Sequence, residues 1–132
     1  MTRRWLLLVP AVLLAGCRKG VPRDNLLPEA LGAWKRTSLA RVSAPDTNVI
    51  PPASIRRVQS AGYAENGKVD VTLYELTSSA AALDAVQRWR PAADTVFFYR
   101  DDLFVVIKYK DSDRKALNAF VAALDIHLTP PK

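Results

Sequence analysis

The chain predicts an α+β fold: a four- or five-stranded, mainly antiparallel sheet with two helices on one face, in the order (β)-ββα-ββα. Three observations carry that expectation. Asn66-Gly67 stands between two strand-like runs, and both residues tolerate the positive φ that a tight hairpin turn demands. Leu117, Phe120, Val121 and Leu124 recur at i, i+3, i+4 and i+7, the spacing of one helix face. Displacing the chain by 34 residues sets Val69, Val71 and Leu73 on Leu103, Val105 and Ile107. The same displacement sets Ser78, Ala82, Leu83, Ala85 and Val86 on Ser112, Ala116, Leu117, Ala119 and Phe120. Two units of two strands and a helix follow, too few for a solenoid, in which each repeat must bury its face against a neighbour.

Taken in order, residues 18–32 hold two prolines, two glycines and no clear periodicity, so they predict a tether outside the core, with Leu26, Leu27 and Leu31 in reach of the domain. Trp34 to Val42 is a candidate first strand, and the stretch 43–54 is a proline-rich loop. Strands near 56–64 and 68–76 flank Asn66-Gly67. Folding about that turn puts Ala64 opposite Val69, Gly62 opposite Val71 and Ser60 opposite Leu73, and such small partners leave room for a helix. Ser78 or Ser79 is a good N-cap for a helix over Ala80 to Trp89, and Pro91 forbids its continuation. A strand near 94–100 turns through Asp101-Asp102 into a strand near 103–110. Asp111 or Ser112 then caps a helix running to about Leu124. The expected organisation is a signal segment over 1–16, a modified Cys17 and tether to 32, one α+β domain over 33–128, and a tail over 129–132.

If Val71 and Val105 point at the helices, Tyr74, Phe104 and Val106 point away, and Tyr63, Phe97 and Tyr99 should join them. The open face of a half-covered antiparallel sheet is normally polar. An aromatic one marks a contact surface, which makes Tyr63, Tyr74, Phe97, Tyr99 and Phe104 candidate contact residues. The alternative is that Leu26, Leu27, Leu31 and Trp34 fold back and cover them.

The N-terminus carries a separate signal. Arg3 and Arg4 precede an apolar run from Trp5 to Leu14, and Ala15-Gly16 stands before Cys17, the single cysteine of the chain. A run of about ten residues is half the length that spans a bilayer but suits a signal peptide. Leu14-Ala15-Gly16-Cys17 resembles the lipobox of bacterial lipoproteins. The resemblance implies cleavage between Gly16 and Cys17, acylation of Cys17, and attachment to a lipid bilayer in the cell envelope. Arg18, where an aspartate would favour inner-membrane retention, points to the outer membrane facing the periplasm in a diderm cell. Tyr74-Glu75-Leu76-Thr77-Ser78-Ser79-Ala80-Ala81-Ala82-Leu83, with Gly62-Tyr63 before it, resembles a family of uncharacterised exported bacterial proteins over roughly residues 55–110. That resemblance implies a strand ending in an acidic residue and a Ser-Ala helix start, and brings no activity with it.

The composition excludes more than it assigns. Loss of Arg3 and Arg4 with the leader lowers the formal charge from +6 to +4, no Lys/Arg run exceeds two, and export removes the chain from nucleic acid. The remaining charge suits mild attraction to anionic lipid or wall polymers. An acylated Cys17 leaves no thiol for disulfide or redox chemistry. His127, the single histidine, lies beyond the expected end of the last helix and makes a poor general base. One histidine and no free cysteine are too few for a zinc site, and no Gly-rich phosphate loop or GxSxG elbow occurs. Asp101-Asp102 and Asp111-Ser112-Asp113 sit where a turn and an N-cap need short acceptors, without the oxygen spacing of a calcium loop. Glu29, Glu65 and Glu75 fall at a tether, a turn and a strand end, not as a catalytic pair. No cofactor is expected. The leading function is a non-catalytic envelope module that contacts another envelope protein or a small ligand. The alternatives are a carrier of an apolar or lipidic ligand and a small hydrolase built on Ser, Asp and His127.

Overall fold

A computed structural model describes residues 25–43, 49–65, 67–110 and 113–129. The strands are β1 (Ala30–Leu31), β2 (Trp34–Val42), β3 (Ile55–Ala64), β4 (Lys68–Leu76), β5 (Thr95–Arg100) and β6 (Leu103–Lys110). Among the described residues the α-helices are α1 (Ser79–Arg88), between β4 and β5, and α2 (Arg114–Leu128), after β6. All pairings are antiparallel, and the six strands lie in the order β1-β2-β3-β4-β6-β5. The fold is α+β, but the sheet has six strands where four or five are expected. The additional strand is β1, a two-residue element turned onto β2 by Gly32, whose φ of 63° costs a residue without Cβ little.

The helices do not share a face. Strand alternation sends Val69, Val71, Leu73, Leu103, Val105 and Ile107 to one side, where they pack with Leu117, Phe120, Leu124 and Leu128 of α2. It sends Tyr74, Leu76, Phe104 and Val106 to the other side, where they pack with Ala82 and Ala85 of α1 and with Ile50 from the loop before β3. The sheet is therefore the middle layer of three, and the expectation of two helices on one face is corrected. Size matching accounts for the division. The face with the Tyr74, Phe97 and Phe104 rings takes a helix whose buried residues are alanines, and the face centred on Val71, Leu73, Val105 and Ile107 takes one whose buried residues are leucine and phenylalanine.

The β3–β4 register also differs from the expected one. Pairing begins at Ala64↔Lys68, so Tyr63, Ala61 and Gln59 stand opposite Val69, Val71 and Leu73. The Glu65 N–H donates to the Gly67 carbonyl at 3.1 Å. A shift of one residue moves every β3 side chain to the other face. Gly62 lies beside the irregularity between Arg36 and Ser38 of β2; a Cβ there would meet Ser38 Oγ and Thr37 Oγ1 at 3.0 Å.

Both helices start on side-chain caps. Ser78 accepts from the Ala81 N–H at 3.1 Å, and Asp113 from the Ala116 N–H at 3.2 Å. Asp113 is thus the cap of α2 in place of Asp111 or Ser112, which lie outside the described residues. The helix runs to Leu128, four residues past the expected end, so His127 belongs to its last turn.

Residues 25–32 are not a tether. Leu26, Leu27 and Leu31 are buried beside Trp34 on the α2 face. Polar contacts pin this strap: Arg36 Nη1 donates to the Leu27 carbonyl (2.6 Å) and Tyr63 Oη to the Pro28 carbonyl (2.6 Å), while Trp34 Nε1, at the start of β2, donates to the Ala116 carbonyl (3.2 Å). Residues 17–24 and the tail from 130 lie outside the described residues.

Candidate functional site

The five aromatic candidates separate. Tyr63 is buried on the α2 face, with its ring 5.1 Å from that of Phe120. The register places it there, opposite Val69. Burial raises the Tyr63 phenol pKa well above its ordinary value, against a smaller lowering by the Arg36 charge. Tyr74 and Phe104 are buried on the α1 face, in contact with each other and with Trp89. The expected open aromatic face is therefore corrected: α1 and Ile50 cover it, while Leu26, Leu27, Leu31 and Trp34 fold back onto the opposite face.

Phe97 and Tyr99 remain accessible. Both lie on β5, the edge strand beyond β6, and Tyr99 is 37% exposed. Together with Val96 and Phe98 they line a groove of about 540 Å³ that wraps around the strand edge. Val86 of α1 flanks it on one side, and Asn118, Val121, Ala122 and Asp125 of α2 on the other. Arg100 closes one end, donating from Nε and Nη2 to the Asp125 carboxylate at 2.5 and 2.9 Å. Those hydrogen bonds and the Asp125 charge raise the Arg100 pKa further above its ordinary value.

The backbone of β5 adds directional groups to this apolar lining. Tyr109 N–H donates to the Asp94 carbonyl at 3.0 Å, which fixes the phase of the β5–β6 ladder. In an antiparallel ladder hydrogen-bonded pairs alternate, so Val96, Phe98 and Arg100 turn their amide groups to β6. Thr95, Phe97 and Tyr99 turn theirs to the outer edge, where the Thr95 N–H already donates to the Ala92 carbonyl. An edge of this kind pairs readily with another extended chain.

The remaining chemistry-bearing residues do not converge. His127 Nε2 hydrogen-bonds the Asn25 carbonyl at 2.8 Å and so holds the start of the strap. Asp101 and Asp102 form the two-residue turn between β5 and β6, with Asp101 at a φ of 52°. Among the described residues, no three His, Cys, Asp or Glu side chains group to hold a metal ion, and no helix is long and apolar enough to cross a membrane. Cys17 lies outside the described residues.

Glu75 is a buried charge near the end of β4. It is 6% exposed, ion-paired with Arg57 and 3.4 Å from Gln59 Nε2. The signal was present, since Val69, Val71, Leu73 and Glu75 are spaced by two and share one face. No protein-family model, curated protein or solved structure matches the chain.

Proposed function

We propose that the chain is a lipid-anchored module of the bacterial cell envelope that works by protein contact along the β5 edge and not by catalysis. The single observation that carries the contact reading is the edge groove, where the amide groups of Phe97 and Tyr99 face outward with no strand partner among the described residues, in a mainly apolar lining. The anchor reading is supported by Leu14-Ala15-Gly16-Cys17 and the leader before it. With the strap pinned from Asn25 onward, residues 17–24 are left as the link between anchor and domain. In a diderm cell the outer membrane, facing the periplasm, is the location that Arg18 favours.

A second reading, the carrier of an apolar ligand, uses the same groove, whose volume falls within the range of small-molecule sites. The hydrolase reading draws no support from His127, whose ring is engaged by a backbone carbonyl.

Expression of the full chain in a bacterium fed labelled palmitate tests the anchor. Wild type should carry label and sediment with membranes, and Cys17→Ser should lose both while remaining folded. A membrane-bound, unlabelled Cys17→Ser chain with its leader uncut would overturn the lipid anchor.

A further inference from the structure

We infer that the β5 edge pairs with the β5 edge of a second copy of this chain, antiparallel and centred on Phe97, to join two sheets into one. The inference deepens the contact reading above by naming the partner. Three properties of the edge select this partner and this register.

The first is hydrogen-bond phase. Thr95, Phe97 and Tyr99 turn their amide groups outward, so an antiparallel partner must match these positions with its own outward residues. A twofold axis through Phe97 does so. Phe97 N–H donates to the Phe97 carbonyl of the second copy and the reverse, and Tyr99 N–H donates to the Thr95 carbonyl of the second copy and the reverse. A register that slips by one residue sets Phe97 against Phe98, whose amide groups face β6, and cannot form a ladder.

The second is charge. With Phe97 at the centre, Asp94 stands opposite Arg100 of the second copy at both ends. Arg100 holds Asp125 through Nε and Nη2, so Nη1 is the nitrogen that takes Asp94. A slip by two residues keeps the phase, but centring on Phe98 sets Asp94 against Asp102, and centring on Val96 sets Asp94 against Phe98. The Phe97 register is the one of these three that sets Asp94 against an opposite charge.

The third is the face each side chain occupies. The axis stands normal to the sheet, so α2 of both copies lies on one side and α1 of both on the other. Val96 meets Phe98 of the second copy on the α2 side, where Val121 and Ala122 line the groove. Tyr99, 37% exposed in the single chain, meets Thr95 on the α1 side. An isologous contact of this kind closes on itself and leaves no open edge at β5 for further growth. Anchoring in one bilayer raises the effective concentration of two copies for each other.

Cysteine scanning of the full chain in a Cys17→Ser background tests the register, because that substitution removes the native thiol. Opposed residues of an antiparallel pair fall within disulfide range. Phe97→Cys should give a disulfide-linked dimer on mild oxidation, and so should Thr95→Cys with Tyr99→Cys if the single variant folds poorly. Phe98→Cys should not cross-link. Sedimentation of the unlipidated full chain should show a doubling of molar mass, lost in Tyr99→Pro, which removes an outward N–H from an edge position that tolerates proline. A monomer over the whole accessible concentration range, or cross-linking at Phe98 in place of Phe97, would overturn the inference. Because this assay uses Cys17→Ser, its outcome is independent of the palmitate result, and either can fail alone.

Discussion

The two ββα units are alike in sequence pattern and opposite in how they close. In the first, β4 leads into α1, which packs alanines against Tyr74, Phe104 and Val106. In the second, β6 leads into α2, which packs Leu117, Phe120, Leu124 and Leu128 against Val71, Leu73, Val105 and Ile107. Corresponding strand positions share a face, as the 34-residue displacement requires, yet the helices go to opposite faces. An internal repeat of periodicity therefore does not dictate a repeat of packing. The lesson is one of volume. The face with the Tyr74, Phe97 and Phe104 rings takes a helix with a small-residue stripe, and the face centred on Val71, Leu73, Val105 and Ile107 takes large helical side chains, which exclude voids.

Substitutions that exchange these volumes break the comparison. Phe120→Ala carries the largest expected effect, about 3–5 kcal/mol, because it opens a cavity beneath Trp34 and Tyr63. Urea denaturation followed by tryptophan fluorescence reads it, and a cost below about 1 kcal/mol would mean that α2 does not close the larger core. The reverse exchange, Ala85→Leu on α1, should cost about 1–3 kcal/mol by overpacking against the aromatic face. A neutral result by thermal denaturation would show that α1 has space to spare and that size matching does not set its place.

The strap sharpens the contrast, since it belongs only to the α2 face. Tyr63→Phe should cost about 1–3 kcal/mol by leaving the Pro28 carbonyl without its donor. It should also change the alkaline limb of the stability curve. The Tyr63 phenol titrates higher in the folded chain than in the unfolded one, so its contribution is complete below the unfolded value near 10. As pH rises past that value the contribution falls, by up to about 1.4 kcal/mol per pH unit. Denaturation at pH 9 and pH 11 should show that part of the decline in wild type and not in Tyr63→Phe. The smallest effects belong to the caps. Ser78→Ala and Asp113→Ala should each cost about 1 kcal/mol. A Thr substitution at either position should recover most of it, as thermal midpoints would record.

Much of the fold was legible locally. The strands flanking Gly67, the Asp101-Asp102 turn, the Ser78 cap and the stop before Pro91 follow from propensity and turn chemistry, and the structure has them within a residue or two. The candidate site was half legible. Phe97 and Tyr99 were picked out as contact residues, but grouped with Tyr63, Tyr74 and Phe104, which are core. The face of Tyr63 turns on one register position: pairing that begins at Ala64↔Lys68, and not at the expected Ala64↔Val69, reverses the faces of β3. The burial of Tyr74 and Phe104 is not legible locally, because the side on which α1 packs is set by volumes matched between distant segments. Glu75 was passed over as a strand end although its spacing from Leu73 put it on an apolar face opposite Arg57.

By itself the sequence determined the elements other than β1, their order, the hairpin partners and the Ser78 cap, because these depend on interactions between residues near one another in the chain. Tertiary structure alone decided the side on which each helix lies, the exposure of each aromatic and the inclusion of residues 25–32 in the core. Those outcomes depend on matching volumes and hydrogen-bond partners between segments as distant as Trp34 and Ala116 or Asn25 and His127. It also left β5 at the edge, because β6 inserts between β4 and β5 and takes the inner position.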